Sequence, residues 1–323
     1  MPDTTSIPVI ILFGPTASGK TAVLEELFAA PGPAFPAEII SADSMQVYRG
    51  MDIGTAKASA GLMSRLPHHL IDIRDPREQF HAGDFVHLAD EACLDITNRG
   101  KLPVISGGTG FYIKNFVLGL PETPPSDPGI REELLAERER SGIEPLAKEL
   151  EACDPVSFAR IHINDEYRIL RALEVFRSSG KPLSGYAQTG SNRVNRPDYR
   201  FLTLGLRSSR DDLYRRINRR CSLMFQEGLP GEVAGLYAAG YGPGDPGLKA
   251  IGYKEFFIQN GDKTFRLTED LAGVEELIAR NSRRYAKRQI LFFSSLPDVV
   301  WVDAGRGAGK KIREILEAFL NQG

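Results

Sequence analysis

The chain has 323 residues with 42% hydrophobic and 25% charged side chains and a formal net charge of −2, a composition typical of globular proteins that points to no particular partner. It contains no apolar run long enough to span a bilayer, and its first residues lack the basic and apolar segments of a secretory signal. The cysteines, Cys93, Cys153 and Cys221, are odd in number and far apart, which predicts neither a disulfide framework nor a metal motif and favours a cytoplasmic protein.

The first motif is a complete phosphate-binding loop, G-x-x-x-x-G-K-T, formed by Gly14, Pro15, Thr16, Ala17, Ser18, Gly19, Lys20 and Thr21. The apolar residues 9–13 predict a buried strand before it, and the spacing of residues 22–27 predicts a helix after it. In that context backbone N–H groups and the helix dipole attract phosphate, Lys20 reaches its terminal oxygens, and the Thr21 hydroxyl can bind Mg²⁺. The loop therefore predicts a polyphosphate or pyrophosphate site, but it leaves the reaction open.

Strands and helices alternate over the first 120 residues. Residues 38–43 predict a second strand, residues 69–73 a third and residues 102–106 a fourth, with a helix over residues 83–98. This order predicts an α/β fold, a P-loop NTPase-like core with a parallel sheet, in which ligands bind at the carboxyl ends of the strands.

Two polar segments follow the predicted strands. Asp43 ends the second strand, where a carboxylate could accept a proton from a nucleophile or hold a metal-bound water; a turn or helix cap is the alternative, and the residues alone do not decide. Gly107-Gly108-Thr109-Gly110 follows the fourth strand and is either a turn or part of the same site. The fourth strand has no acidic residue, which disfavours a nucleotide-hydrolysing enzyme.

Four prolines within residues 121–128 mark a boundary in the chain. Residues 129–180 are helical in character, residues 184–198 are polar and loop-like, and residues 200–206 resume as a strand. We therefore expect a P-loop α/β core at residues 1–120 and 196–323, interrupted by a mainly helical insertion domain at residues 121–195.

Two basic clusters occupy residues 213–220 and 280–288 of this negatively charged chain. On a helix, Arg216 and Arg220 of the first cluster lie one turn apart and could neutralise pyrophosphate oxygens. On a helix, the second cluster forms one basic stripe of Arg280, Arg284, Lys287 and Arg288. The stripe is either a solvated face or, as the concentration of charge favours, a site for a phosphate backbone.

Together these residues resemble the bacterial tRNA dimethylallyltransferases, also called tRNA isopentenyltransferases. The resemblance covers most of the chain, and its motifs occur in the family's order, which makes it specific although each motif is weak alone. The motifs are GPTASGKT (14–21), SADSMQVYRGMDIGTAK (41–57), GGT (107–109), NDEYRILRALEV (164–175), IGYKE (251–255) and YAKRQ (285–289).

The resemblance implies transfer of a dimethylallyl group from dimethylallyl diphosphate to N6 of adenosine 37, next to the anticodon, in tRNAs that read codons beginning with U. The products would be N6-(dimethylallyl)adenosine and diphosphate. The phosphate loop would then hold the prenyl diphosphate with Mg²⁺ rather than ATP. Diphosphate leaves readily only when its developing charge is neutralised, and the target base must leave the anticodon stack. The resemblance also implies a monomer whose helical insertion grips the anticodon stem-loop.

Residue roles follow from the same resemblance. Asp43 would be the general base, Thr109 and Arg220 would be further catalytic groups, and Thr21 would act in catalysis as the Mg²⁺ ligand. Residues 14–21 would bind the prenyl diphosphate. The implied tRNA contacts are Asp43, Ser44, Met45, Gln46, Thr109, Arg131, Tyr167, Arg168, Ile169, Leu170, Arg171, Lys249, Gly252, Tyr253, Lys254, Arg284, Lys287, Arg288 and Gln289.

The chain departs from the family pattern directly after YAKRQ. The family commonly has a Thr-Trp pair and then a basic residue there, whereas this chain reads ILFFS at residues 290–294. Phe292 can replace the aromatic packing, but Leu291 and Ser294 cannot supply the polar or charged contacts. The departure concerns RNA contacts at the end of the predicted helix and leaves the prenyl-diphosphate residues unchanged.

Three other functions would use parts of the same pattern. A prenyltransferase acting on free AMP, ADP or ATP would share Asp43 and the phosphate loop but would need neither the insertion nor the basic stripe. A small-molecule or nucleotide kinase would use the loop for ATP. A non-catalytic RNA-binding protein would have no need of the intact Gly19, Lys20, Thr21 and Asp43.

Overall fold

The structure is a computed structural model that describes residues 6–30, 33, 35–120, 123–187 and 196–321. Its strands are β1 (Ile7–Phe13), β2 (Ala37–Ser41), β3 (His68–His69), β4 (Leu102–Gly107), β5 (Tyr199–Arg207), β6 (Phe257–Gln259), β7 (Phe265–Leu267) and β8 (Val300–Asp303). Its α-helices are α1 (Lys20–Phe28), α2 (Ala60–Arg65), α3 (Ala82–Asn98), α4 (Gly110–Leu118), α5 (Pro128–Ser141), α6 (Glu144–Cys153), α7 (Pro155–Phe158), α8 (Glu166–Ser179), α9 (Ser184–Ala187), α10 (Arg210–Gln226), α11 (Leu229–Ala238), α12 (Leu271–Phe293) and α13 (Ala308–Leu320). Two 3₁₀ helices occupy Gly247–Lys249 and Lys254–Phe256.

Six parallel strands form one sheet in the order β3-β2-β4-β1-β5-β8, which confirms the predicted α/β class. In the middle of the sheet, Leu12 of β1 lies opposite Ser106 of β4 on one side and Leu204 of β5 on the other. Because β2, β4 and β1 are neighbours that run in the same direction, the loops after their carboxyl ends meet at one edge of the sheet.

Both faces of this sheet are covered by apolar packing, as expected for buried parallel strands. Val9, Ile11 and Phe13 of β1 belong to one core cluster together with side chains of α3, α4, α10, α11 and α12. Ile10 and Leu12 belong to a second cluster, which contains side chains of α1, α2 and α13. The alternation of β1 side chains therefore places α10 and α12 on one face of the sheet and α13 on the other.

The chain divides into two compact units, one comprising Met1–Val117 and Pro197–Gly323 and the other Leu118–Arg196. The second unit contains α5 to α9 around a core that includes Leu134, Leu150 and Leu173. Arg177 of α8 ties three helices together, because its guanidinium lies 2.8 Å from a carboxylate oxygen of Glu137 on α5 and 2.6 Å from one of Glu149 on α6.

Three predicted elements differ from the structure. The second strand, predicted over residues 38–43, is Ala37–Ser41, so Asp43 lies in the loop beyond it. The third strand, predicted over residues 69–73, is only His68–His69, because Leu70 and Asp72 have φ angles of 62° and 56° and such left-handed residues cannot continue a strand. Within the predicted loop at 184–198, Ser184–Ala187 form the short helix α9. Residues 188–195 of that loop, and residues 121–122 of the proline-rich boundary, lie outside the described residues.

Candidate active site

A cavity of about 430 Å³ lies where the loops after β1, β2 and β4 meet α10 and α12. Its polar wall is formed by the phosphate loop, residues 43–46 and Gly108. Its apolar wall includes Ile217, Cys221 and Met224 of α10. The cavity can therefore hold a molecule that carries both phosphate and hydrocarbon groups.

The phosphate loop wraps closely between β1 and α1. Gly19 has φ 95°, a value that residues with a Cβ rarely adopt, and α1 begins at Lys20. A Cβ at Gly14 would lie 2.7 Å from Ser18 Oγ, so only glycine fits there without a shift. Lys20 Nζ donates to the carbonyl oxygens of Gly14 and Pro15 at 3.0 and 3.1 Å. This wrapping leaves the first N–H groups of α1 available to an anion.

Lys20 and Arg220 bring two partly buried cations to the phosphate loop. Burial first, and the charge of neighbouring Arg220 second, lower the pKa of Lys20 to about 8, while Asp43 opposes the shift. Burial also lowers the pKa of Arg220, whose Nη1 donates to Thr16 Oγ1 at 3.4 Å. An anion bound between these cations would favour their charged forms. The electrostatics of the loop therefore suit a diphosphate.

Asp43 lies on the loop after β2 and lines the same cavity. Its Oδ1 accepts a hydrogen bond from the Met45 backbone N–H at 3.0 Å, so the turn-capping role considered from the sequence is real. On the loop after β4, Thr109 Oγ1 accepts a hydrogen bond from the Ser44 N–H at 2.9 Å, and the Thr109 N–H donates to the Ala42 carbonyl at 3.1 Å. The two loops thus form one hydrogen-bonded unit beside Asp43.

Gln46 connects this unit to the segment 51–57, which forms another part of the wall. Its Nε2 donates to the carbonyl oxygens of Thr55 and Ala56 at 3.2 and 3.3 Å, and its Oε1 accepts from Ser41 Oγ at 3.0 Å. An amide has only two hydrogens to donate. Both are engaged within the protein, so any contact of Gln46 with tRNA would have to use another atom.

Glu232 of α11 also holds the segment 51–57, and the sequence analysis did not find it. Its Oε2 accepts hydrogen bonds from the N–H groups of Asp52 and Ile53 at 3.0 and 2.7 Å. Its Oε1 accepts from the Gly54 N–H at 3.2 Å and from the Tyr253 hydroxyl at 2.6 Å. Hydrogen bonds to a carboxylate are the stronger kind. No local sequence pattern could have revealed a residue whose partners lie about 180 positions away.

The predicted tRNA contacts of the core unit differ in exposure. Those with exposed side chains are Lys249, Lys254, Arg284, Lys287 and Arg288. Tyr253 is 0% exposed and Gln289 is 5% exposed, so side-chain contact with tRNA does not fit either residue. The Tyr253 ring packs against Gly54, and a Cβ built on Gly54 would lie 2.5 Å from that ring. Gly252 is buried as well and has φ 102°.

In the helical unit, two of the predicted tRNA contacts have exposed side chains, and a third, Arg131, is partly buried and lies 3.7 Å from a carboxylate oxygen of Glu174. Tyr167 is 59% exposed, and the Arg131 guanidinium lies 5.1 Å from the centre of its ring. The Arg168 side chain is 71% exposed and pairs with Asp165 at 2.5 Å. A cation over an exposed aromatic ring presents both charge and a stacking surface.

The next three residues of α8 behave differently. Ile169 and Leu170 are 1% and 3% exposed and belong to the core of the helical unit, so the predicted side-chain contact with tRNA does not fit them. Arg171 donates to the Pro124 carbonyl at 2.7 Å and lies 3.1 Å from a carboxylate oxygen of Glu174. A run of adjacent residues on a helix cannot all face outward, because successive side chains point in different directions.

The apolar wall and Tyr285 are cavity features that the sequence analysis missed. Ile217, Cys221 and Met224 are spaced four and three residues apart on α10, which is the helical signal for one buried face. That signal was present in the sequence, within and directly after the cluster of arginines. Tyr285 of α12 also lines the cavity, and burial raises its pKa to about 12.

The end of α12, where the chain departs from the family pattern, keeps its packing. Phe293 is 1% exposed and stacks on Phe13, with 4.4 Å between ring centroids. Phe292 is partly buried, whereas Leu291 is 75% exposed. Ser294 Oγ donates to the Leu291 carbonyl at 2.7 Å. Phe292 is thus available for the expected aromatic packing, and the exposed Leu291 stands where the family commonly has a polar side chain.

The described residues contain no cluster of three or more His, Cys, Asp or Glu side chains that could hold a metal ion. Thr21, which is exposed in the first turn of α1, remains the predicted protein ligand for Mg²⁺. None of the described helices is both long and apolar enough to cross a membrane.

Comparison with known proteins adds to this geometry. The family model described as IPP transferase matches residues 46–296. The chain belongs to the IPP transferase family. This family member is 46% identical over 295 residues to the tRNA dimethylallyltransferase of Geobacter sulfurreducens, with 91% of each chain covered. The resemblance predicted from the sequence is confirmed.

Two solved structures are similar to this IPP transferase family member. One is the full-length tRNA isopentenylpyrophosphate transferase of Bacillus halodurans, with a TM-score of 0.66, 36% identity, and coverage of 98% of this chain and 97% of that one. The other is a eukaryotic dimethylallyltransferase acting on tRNA, with a TM-score of 0.81, 26% identity, and coverage of 98% and 80%. In both cases the similarity of fold covers nearly the whole of this chain.

Proposed function

We propose that this chain transfers the dimethylallyl group of dimethylallyl diphosphate to N6 of adenosine 37 in tRNAs that read codons beginning with U. The observation that carries the proposal is a single cavity lined by Asp43, by the cations Lys20 and Arg220, and by an apolar wall. A prenyl diphosphate has an anionic part and an apolar part, which suit these two walls. The names of the similar tRNA dimethylallyltransferases support the same reaction.

The cations would act on the leaving group. As the bond between the allylic carbon and the diphosphate oxygen breaks, negative charge grows on that oxygen. Lys20 and Arg220 are held beside the phosphate loop before the reaction begins, so they need little reorganisation to stabilise that charge. Burial makes both cations costly in the absence of an anion, which favours binding of the diphosphate.

Asp43 would act on the nucleophile. The exocyclic amine of adenine gains a bond to carbon, and its nitrogen must then lose a proton to give the neutral product. Asp43 lines the cavity and accepts only one protein hydrogen bond at Oδ1 among those of the described residues. Its carboxylate can accept the proton, while Thr109 fixes the backbone at Ser44 next to it.

Mg²⁺ is the proposed cofactor, and the residues present fit it. Mg²⁺ prefers oxygen ligands and commonly takes most of them from water and substrate phosphate rather than from the protein. The described residues offer the Thr21 hydroxyl beside the phosphate loop and no carboxylate cluster. This set of donors agrees with that preference of Mg²⁺. When bound, the ion would neutralise part of the diphosphate charge.

The proposed macromolecular partner is the anticodon stem-loop of tRNA. The exposed cations of α12, Arg284, Lys287 and Arg288, would bind its phosphates, and the target base would leave the stack to enter the cavity. Arg131 and Tyr167 of the helical unit offer a charged and stacking surface suited to RNA. We further propose that residues 121–195 act as the tRNA-gripping insertion domain and that the enzyme is a cytoplasmic monomer.

The test incubates purified protein, Mg²⁺ and radiolabelled dimethylallyl diphosphate with an unmodified tRNA that carries A36-A37-A38. Parallel reactions contain AMP, ADP or ATP instead of tRNA. We expect label in tRNA, mapped to A37. Label only in a free nucleotide would instead identify a nucleotide prenyltransferase. Transfer of γ-phosphate from labelled ATP would identify a kinase.

A further inference from the structure

Gln289 lies on the inner side of α12, where it contacts two loops of the active site at once. It is 5% exposed, which separates it from the neighbouring exposed cations Lys287 and Arg288. We propose that Gln289 is a positioning residue that fixes the phosphate loop relative to the loop carrying Thr109. The inference rests on the proposed prenyl transfer, and it gives Gln289 a role other than the tRNA contact that the family resemblance implies.

One end of the Gln289 amide holds the diphosphate side of the cavity. Its Oε1 accepts a hydrogen bond from the Thr16 backbone N–H at 2.9 Å. Thr16 Oγ1 in turn accepts a hydrogen bond from Arg220 Nη1 at 3.4 Å. Gln289 is therefore linked through a single residue to the cation proposed to stabilise the leaving diphosphate.

The other end of the amide holds the base side. Gln289 Nε2 donates to the Gly108 carbonyl at 2.7 Å. The next residue, Thr109, accepts a hydrogen bond from the Ser44 N–H at 2.9 Å, and Ser44 directly follows Asp43. One side chain thus spans the gap between the leaving-group cation and the proposed general base. Transfer requires both groups in a single geometry, and small displacements of reacting groups are costly in rate.

The packing around Gln289 is rigid enough for this role. Four residues along α12, Phe293 is 1% exposed and stacks on Phe13, the residue immediately before the phosphate loop. A Cβ at Gly108 would lie 2.6 Å from Gln289 Nε2, so a side chain there would displace the Gln289 amide. Glutamine also suits the site chemically, since its amide offers one acceptor and a donor on the same planar group.

The decisive variant is Gln289→Met, which keeps the length of the side chain and removes both hydrogen bonds. Gln226→Met is the matched control, because Gln226 is an exposed glutamine at the end of α10. With saturating tRNA and dimethylallyl diphosphate, we expect kcat of the Gln289 variant to fall about 10- to 100-fold, while KM for tRNA stays within about twofold of wild type. A rise in KM for tRNA with unchanged kcat would overturn the proposal in favour of an RNA contact.

Gln289→Glu provides a second readout that simple loss of stability would not reproduce. A protonated carboxyl can accept from Thr16 and donate to Gly108 as glutamine does, whereas the carboxylate can only accept. Lowering the pH from 8 to 6 should therefore raise the ratio of variant to wild-type kcat, since burial raises the pKa of a carboxyl group at this position while the charges of Lys20 and Arg220, which line the same cavity, oppose that rise. Wild-type kcat for Gln289→Met, in protein that thermal unfolding shows to be folded, would contradict the positioning role. Failure of the proposed function is distinct, since wild-type protein would then label no tRNA.

Discussion

Two carboxylates at opposite ends of β2 have different surroundings. Glu38, near the start of the strand, is 2% exposed at its side chain and contacts His69, Arg99 and Lys101. Asp43, just beyond the end, forms none of the ion pairs found among the described residues and lines the cavity opposite Lys20 and Arg220, whose pKa values its charge raises. The protein therefore neutralises a structural carboxylate with direct ion pairs and leaves the proposed catalytic one available.

The largest expected effect is that of Asp43→Asn on transfer. Asparagine keeps the shape and can still accept the Met45 hydrogen bond, but it cannot take up the proton of the adenine amine. We expect kcat to fall about 10²- to 10⁴-fold. Binding of tRNA, measured by filter retention, should stay within about twofold, since the change removes one charge at the cavity and none of the exposed cations. Retention of full activity would exclude Asp43 as the base.

The sequence alone predicted the parts of the site that depend on local order. A strand, a glycine-rich loop and a helix follow one another in the chain, so the phosphate loop could be placed, and the end of a parallel strand placed Asp43 beside it. The loop contacts of Gln289 and Glu232 could not be found this way, because Gln289 meets the phosphate loop across 273 residues and Glu232 meets its loop across about 180. Such contacts exist only after the sheet has formed.

The same reasoning explains the mixed outcome for the predicted tRNA contacts. A motif such as YRILR covers every face of α8, yet only Tyr167 and Arg168 are exposed while Ile169 and Leu170 fill the core. Likewise, the brevity of β3 depends on left-handed conformations at Leu70 and Asp72, and leucine rarely adopts such a conformation. Apolar pattern gave the elements, whereas the directions of individual side chains required the folded structure.

The next effect concerns stability rather than transfer. Glu38→Gln would leave His69, Arg99 and Lys101 around a neutral amide, and their mutual repulsion would no longer be offset. Because the cations are partly exposed, we expect a loss of about 2–3 kcal/mol in the free energy of unfolding, measured with urea. The kcat of the folded variant should remain near wild type. A large fall in kcat without a change in stability would break the contrast between the two ends of β2.

The pH dependence of that effect is predicted in sign and range. Hydrogen bonds from Arg99 first, and then from Lys101 and His69, lower the pKa of Glu38 from 4.5 to about 2 against the opposing effect of burial. The folded protein therefore holds the ionised form more strongly than the unfolded chain does. The contribution of Glu38 is complete above pH 4.5 and is lost as the pH falls towards 2.

Urea titrations of wild type and Glu38→Gln at pH 7, 4.5 and 3 would check this range. The difference in the free energy of unfolding should be nearly as large at pH 4.5 as at pH 7 and should shrink clearly at pH 3. A difference that stays constant down to pH 3 would mean that the effect of the substitution comes from packing instead of charge.

The smallest effect sharpens the contrast at the protein surface. Around Glu38 the cations are engaged by the chain itself, whereas Arg284 and Arg288 are exposed on α12. The association constant for tRNA falls as the salt concentration rises. If these two arginines bind tRNA phosphates, each substitution by alanine should make the slope of the logarithm of that constant against the logarithm of salt concentration shallower by about 0.7–0.9. Arg313→Ala is the matched control, since Arg313 is exposed on α13, which packs on the other face of the sheet. Equal slopes for all three variants would assign the basic stripe to solvent, and tRNA would then have to be held by the helical unit, where Arg131 and Tyr167 become the residues to test.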